Sequence, residues 1–90
     1  MRYRVEVSDE AEKQLSKFPL KVRDRLGHAI DELEENDDSQ WSNVKALQGP
    51  QWRGRLHRRV GAYRIIFIKY SGRAVLEISA ILIKSKDTYR

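Results

Sequence analysis

The stretch WRGRLHRRVGAYRIIFIKY, residues 52–70, divides at Gly61-Ala62 into two runs rich in strand-forming residues. A Gly-X pair between two such runs is a hairpin signal, because glycine supplies the backbone angles a two-residue turn demands. The second run, Tyr63–Tyr70, is apolar at four successive positions, Ile65 to Ile68, so it is apolar on both faces. That pattern marks a strand in the middle of a sheet. The first run, Trp52–Val60, reads differently. Period two sets Arg53, Arg55, His57 and Arg59 on one face and Trp52, Gly54, Leu56, Arg58 and Val60 on the other. Burying unpartnered guanidiniums is very costly, so the first face is lined by water or by an anion. An edge strand using charge against aggregation is the plainer reading, but four such side chains on one face favour the anion.

Outward from this hairpin, Ser71-Gly72 turns the chain again and Ala74–Leu82 forms a third strand. Upstream, residues 40–51 show no clean period and close on the breaker pair Gly49-Pro50. Asn36-Asp37-Asp38-Ser39 is a turn cluster ending a helix over about Leu20–Glu35, whose apolar stripe is Val22, Leu26, Ala29, Ile30 and Leu33. An earlier helix carries Ala11, Leu15 and Phe18 and stops at Pro19. Ser8 or Asp9 caps it, and Asp9 with Glu12 has capping-box spacing. Residues 2–7 alternate Tyr3, Val5 and Val7 against Arg2, Arg4 and Glu6, as a half-buried strand does. The expected fold class is α+β, in the order β-α-α-β-β-β: an N-terminal strand, a helical hairpin, then a three-stranded antiparallel β-meander. Ninety residues are expected to form one domain, 1–90.

The chain has no cysteine, which excludes disulfides and thiolate metal sites, and His28 and His57 are too few for a histidine-rich one. We expect no metal and no cofactor. No apolar run is long enough for a signal peptide or a membrane span, so a cytoplasmic protein without a membrane partner is expected. The net charge of +5 is unevenly spread. Residues 1–45 hold eight Lys/Arg against eleven Asp/Glu, whereas residues 46–90 hold ten against two. A basic half of this kind suits an anionic partner, most often nucleic acid.

The basic half contains neither a carboxylate pair nor a Ser/His/Asp set, and it has no glycine-rich phosphate loop before a helix. RNA carries its own nucleophile, the 2′-hydroxyl. An enzyme acting on it has to align that hydroxyl, stabilise the charged phosphate and protonate the leaving oxygen. Arginines supply the electrostatic part, and His57 can exchange a proton near neutral pH. Trp52, Tyr63, Tyr70 and Tyr89 interleave with the charges. Such rings either stack on bases or complete a small core.

The element order, together with Trp52-Arg53, Arg59-Val60-Gly61-Ala62-Tyr63-Arg64, Val44–Gly49 and the terminal Lys86-Asp87-Thr88-Tyr89, resembles the RelE/ParE toxin superfamily over essentially the whole chain. The resemblance implies the toxin of a type II toxin–antitoxin system, a ribosome-dependent messenger endonuclease that works in the ribosomal A site without metal. Carried over by position, its catalytic set is Arg55, His57, Arg59, Arg64 and Tyr89. Trp52, Arg53, Arg58, Lys84 and Lys86 are then candidates for contact with RNA. It also implies a cognate antitoxin, acidic, that wraps the toxin or lays a helix in a groove. One departure stands out: RelE-like enzymes carry an arginine shortly before the terminal tyrosine, and residues 81–87 contain none. Lys84 or Lys86 matches its charge without its bidentate fork. The alternatives are a ParE-like inhibitor of DNA gyrase and a non-catalytic toxin-like binding module.

Overall fold

The two helices break where proline denies the chain a hydrogen bond. In the computed structural model, which describes residues 1–83, α1 runs Asp9–Lys17 and α2 runs Leu20–Glu35, with Pro19 between them. The Phe18 N–H still reaches the Leu15 carbonyl at 3.2 Å, but Pro19 has no N–H to continue α1. Ser8 is the cap of α1, its Oγ accepting from the Ala11 N–H at 3.2 Å. The third residue after the cap is therefore Ala11, and the expected Asp9–Glu12 capping box does not form.

Five strands make one sheet: β1 Arg4–Val7, β2 Val44–Ala46, β3 Arg55–Val60, β4 Tyr63–Tyr70 and β5 Val75–Ile83. Their order across the sheet is β1-β5-β4-β3-β2. β1 runs parallel to β5 and every other pair is antiparallel. The expected α+β class holds, with β3-β4-β5 as the meander and β4 at its centre, as its apolar run requires. Two details differ from the sequence reading. A short fifth strand, β2, pairs with β3 inside the stretch that shows no period. The first strand of the meander starts at Arg55 rather than Trp52, because Pro50–Trp52 forms a turn of 3-10 helix and Gly54 takes φ 78°.

Both helices cover one face of the sheet. Leu26, Ala29, Ile30 and Leu33 of α2 and Ala11 of α1 pack on Ile65, Phe67, Leu76, Ile78 and Ile81. Trp41 closes one side, donating its indole N–H to the Leu33 carbonyl at 3.1 Å and meeting Phe67 edge-on at 5.8 Å. Helix side chains also satisfy strand N–H groups that no neighbouring strand reaches: Glu34 accepts from Val5 at 2.8 Å and Gln14 from Ile81 at 2.7 Å. A bulge in β5 sets Ser79 between Ile78, opposite Phe67, and Ala80, opposite Ile66. It shifts the alternation by one residue, so that Ile78 and Ile81 both face the helices while Ala80 and Leu82 face away.

Candidate functional site: a cationic groove on the open face

The face away from the helices is built by strand register. Lys45 of β2, His57 of β3 and Ile66 of β4 are cross-strand neighbours in one row. Arg59, Arg64 and Leu82 form the next row. Alternation puts both rows on the same side, because Val44, Leu56, Val60, Ile65 and Ile81 between them pack against the core. Between these side chains and the segment after β2 lies a cleft of about 470 Å³. Leu47, Trp52, Ile66 and Leu82 give it apolar surface, Lys45, His57 and Arg64 give it polar surface, and Gln48 also lines the cleft. A second hollow of about 190 Å³ shares Lys45, His57 and Arg64 and adds Asn43 and Arg59. The two hollows share three residues and form one groove lined by both cations and apolar side chains, with no carboxylate in its lining among the described residues.

His57 sits where the two hollows meet and is only 6% exposed. Its Nδ1 is buried with no hydrogen-bond partner among the described residues. Burial first, then the positive charges of Arg64, Lys45 and Arg59, push the imidazole pKa below its ordinary value of 6.5. The ring is therefore neutral at pH 7, with one nitrogen free to accept a proton. The positive charges of Lys45, Arg59 and Arg64 around it favour an anion in this part of the groove.

His57, Arg59 and Arg64 are brought together, as the sequence reading expects, and Trp52 lines the same groove from the 3-10 turn. Arg55 lies one row further along the same face, opposite Ile68, and lines neither hollow. Arg53 follows the 3-10 turn, off the strand and exposed. Arg58 turns the other way and ion-pairs with Glu32 of α2 at 3.0 Å, outside the groove. Tyr89, Lys84 and Lys86 lie outside the described residues. Lys45 and Gln48 line the groove without having been expected there. The available signal was Val44-Lys45-Ala46, an alternation too short to stand out. Among the described residues, no three His, Asp or Glu side chains gather as metal ligands, and no helix is long and apolar enough to cross a membrane.

A helical hairpin on one side of a five-stranded sheet and a cationic groove on the other define a class of small α+β proteins. Residues 13–90 match the family described as Phage derived protein Gp49-like. The chain belongs to that family, and its fold is that of the RelE-like toxin superfamily it resembles in sequence. Among solved structures, the archaeal RelE–RelB complex from Pyrococcus horikoshii aligns with a TM-score of 0.75 at 24% identity, covering 96% of this chain and 99% of that one. The isolated E. coli RelE toxin aligns with a TM-score of 0.73 at 16% identity, over 96% of this chain and 88% of that one. The toxin–antitoxin complex RelBE2 from Mycobacterium tuberculosis gives a TM-score of 0.69 at 21% identity, over 93% and 100%. At these identities the likeness is one of fold. No protein of curated function matches the sequence at a significant level.

Proposed function

We propose that this chain is the toxin of a type II toxin–antitoxin system and that it cuts messenger RNA in the ribosomal A site. The observation that carries this reading is the cluster on the open face, Lys45, Arg59 and Arg64 around a buried His57. RNA cleavage by its own 2′-hydroxyl needs little more. The three cations hold the phosphate and stabilise the extra negative charge that develops on it as the 2′-oxygen attacks. Neutral His57 takes the proton from that hydroxyl. The bond to the 5′-oxygen breaks, and the imidazolium just formed can return the proton to the departing oxygen. A cyclic phosphate and a free 5′-hydroxyl result. Arg55, one row away, is in place to bind a neighbouring phosphate, and Tyr89 is the candidate for orienting the base or hydroxyl. This chemistry draws on no metal or cofactor. A ribosomal target assigns the protein's work to the cytoplasm.

The same reading supplies a partner. Proteins of this fold are found in complexes with RelB antitoxins in Pyrococcus horikoshii and Mycobacterium tuberculosis. An acidic antitoxin that wraps this chain, or lays a helix across it, would complement its basic second half. The test is primer extension on a defined messenger in a reconstituted translation reaction. Cuts at discrete sites that require both ribosomes and this protein are expected, and the antitoxin should suppress them. An intact messenger with folded, soluble protein would contradict the reading. The absence of an arginine from residues 81–87 favours one second reading, a ParE-like inhibitor of DNA gyrase that cleaves nothing. Loss of supercoiling by purified gyrase would decide for it.

A further inference from the structure

The chain's two tryptophans are used in opposite ways. Trp41, itself half-buried, packs against the core, hydrogen-bonded to Leu33 and edge-on to Phe67. Trp52 is half-buried and stands outside the core cluster, and its indole has no ring or hydrogen-bond partner among the described residues. Its backbone, by contrast, is firmly braced. Gly49 at φ 104° turns the chain, Pro50 opens the 3-10 turn, and the Trp52 N–H returns to the Gly49 carbonyl at 3.1 Å. A tryptophan that merely anchored this segment would be held by a hydrogen bond and a ring contact against the core, as Trp41 is. Trp52 instead forms a wall of the open cleft, and Gln48 lines the same space.

We propose that the part of the groove lined by Leu47 and Trp52 is a subsite for a single nucleobase, with the Trp52 indole as its stacking surface and the Gln48 amide reading the base edge. The proposal rests on the ribonuclease reading above and adds what tells one nucleotide from another. The two hollows share Lys45, His57 and Arg64, so a ligand that fills both brings an anion and an apolar group close together. A nucleotide does this, because a flat ring and a phosphate hang on one sugar. Free phosphate or an acidic peptide would satisfy the cations and leave the apolar surface uncovered. Stacking on an aromatic side chain tolerates any base. Gln48 carries both a donor and an acceptor, so its amide can distinguish one base edge from another.

The experiment is a calorimetric binding titration of the full chain, with the two indole N–H signals followed in NMR spectra of the unaltered protein. The probes are adenosine, guanosine, cytidine and uridine 3′-monophosphates, with ribose 5-phosphate as the base-free control. The Trp52 indole signal should move with the nucleotides and not with ribose 5-phosphate, while the Trp41 signal stays. Nucleotides should bind on the order of tenfold more tightly than the control. Trp52→Ala should remove that margin without changing affinity for ribose 5-phosphate, Trp52→Phe should keep most of it, and Gln48→Ala should level the preference among the four bases. Equal binding of nucleotides and ribose 5-phosphate by the unaltered protein overturns the subsite. If ribosome-dependent cuts persist and are lost in Arg59→Ala, that failure is confined to the subsite. If the protein neither cuts nor binds any phosphate, the ribonuclease reading falls and the subsite with it.

Discussion

His57 is the residue on which the chemistry turns, and its environment makes a prediction that needs no substrate. Burial and the neighbouring Arg64, Lys45 and Arg59 hold its pKa below 6.5 in the folded chain. The unfolded chain then binds the proton more readily, so the neutral ring favours folding above pH 6.5. That contribution is lost as the pH falls from 6.5 toward the lower folded value. A bound phosphate offsets the same three cations and raises the imidazole pKa, so by linkage phosphate binds more tightly as the pH falls. An NMR titration of the His57 ring proton should show a midpoint below 6.5 alone and a higher one with inorganic phosphate. A midpoint that phosphate does not move would separate His57 from the anion site. At this scale the sequence was informative where strand period alone decides, since it placed His57 and Arg59 on one face and Arg58 on the other. It did not reveal Lys45, whose place beside His57 depends on a pairing between residues twelve apart in the chain.

The β3–β4 turn shows how one element fixes the groove. Val60 and Tyr63 close a two-residue loop in which Gly61 has φ 57°, while Ala62 is not among the positive-φ residues, the pattern of a type II′ turn. This turn sets the register that pairs Arg59 with Arg64. A Cβ at Gly61 would lie 2.9 Å from a terminal nitrogen of Arg25 and would strain a left-handed backbone. Gly61→Ala should therefore lower stability by roughly 1–2 kcal/mol, seen as a reduced urea midpoint with unchanged slope. An unchanged midpoint would mean that the turn tolerates a side chain. Ser8 joins two other elements, capping α1 and donating its hydroxyl to the Ser79 carbonyl in the bulge at 3.1 Å. Ser8→Ala should cost about 1–2 kcal/mol of stability. Elements with a strong local signal were readable: the break at Pro19, the stripe of α2, the apolar run of β4. Those held by distant partners were not. β2 has three residues and exists because β3 pairs with it. Trp52-Arg53 continues the strand pattern on paper, but Pro50 and Gly54 bend the backbone away from it.

Across the whole molecule the charge follows the layers. Residues 8–38, which hold the helices, carry ten Asp/Glu against five Lys/Arg, and residues 39–83 carry eight Lys/Arg against one Glu. Such a dipole turns the sheet side toward a polyanion before contact. If Lys45, Arg59 and Arg64 each neutralise a phosphate charge, the affinity for a non-cleavable 2′-O-methyl RNA should fall with salt at a log–log slope of about −2. Arg59→Ala should make that slope shallower by about 0.7; a slope near zero would argue against a backbone contact. The central claim is that the reaction belongs to the face away from the helices. Adjacent residues of one strand test it most directly, because Arg59 lines the groove while Arg58 is paired with Glu32 on the opposite face. The measurement is the single-turnover rate of messenger cleavage on programmed ribosomes, made with folded Arg59→Ala and Arg58→Ala proteins. Arg59→Ala should slow the cut about a hundredfold, and Arg58→Ala should leave it near the rate of the unaltered protein. Loss of cleavage in Arg58→Ala with the rate kept in Arg59→Ala would put the chemistry on the other face and contradict the account.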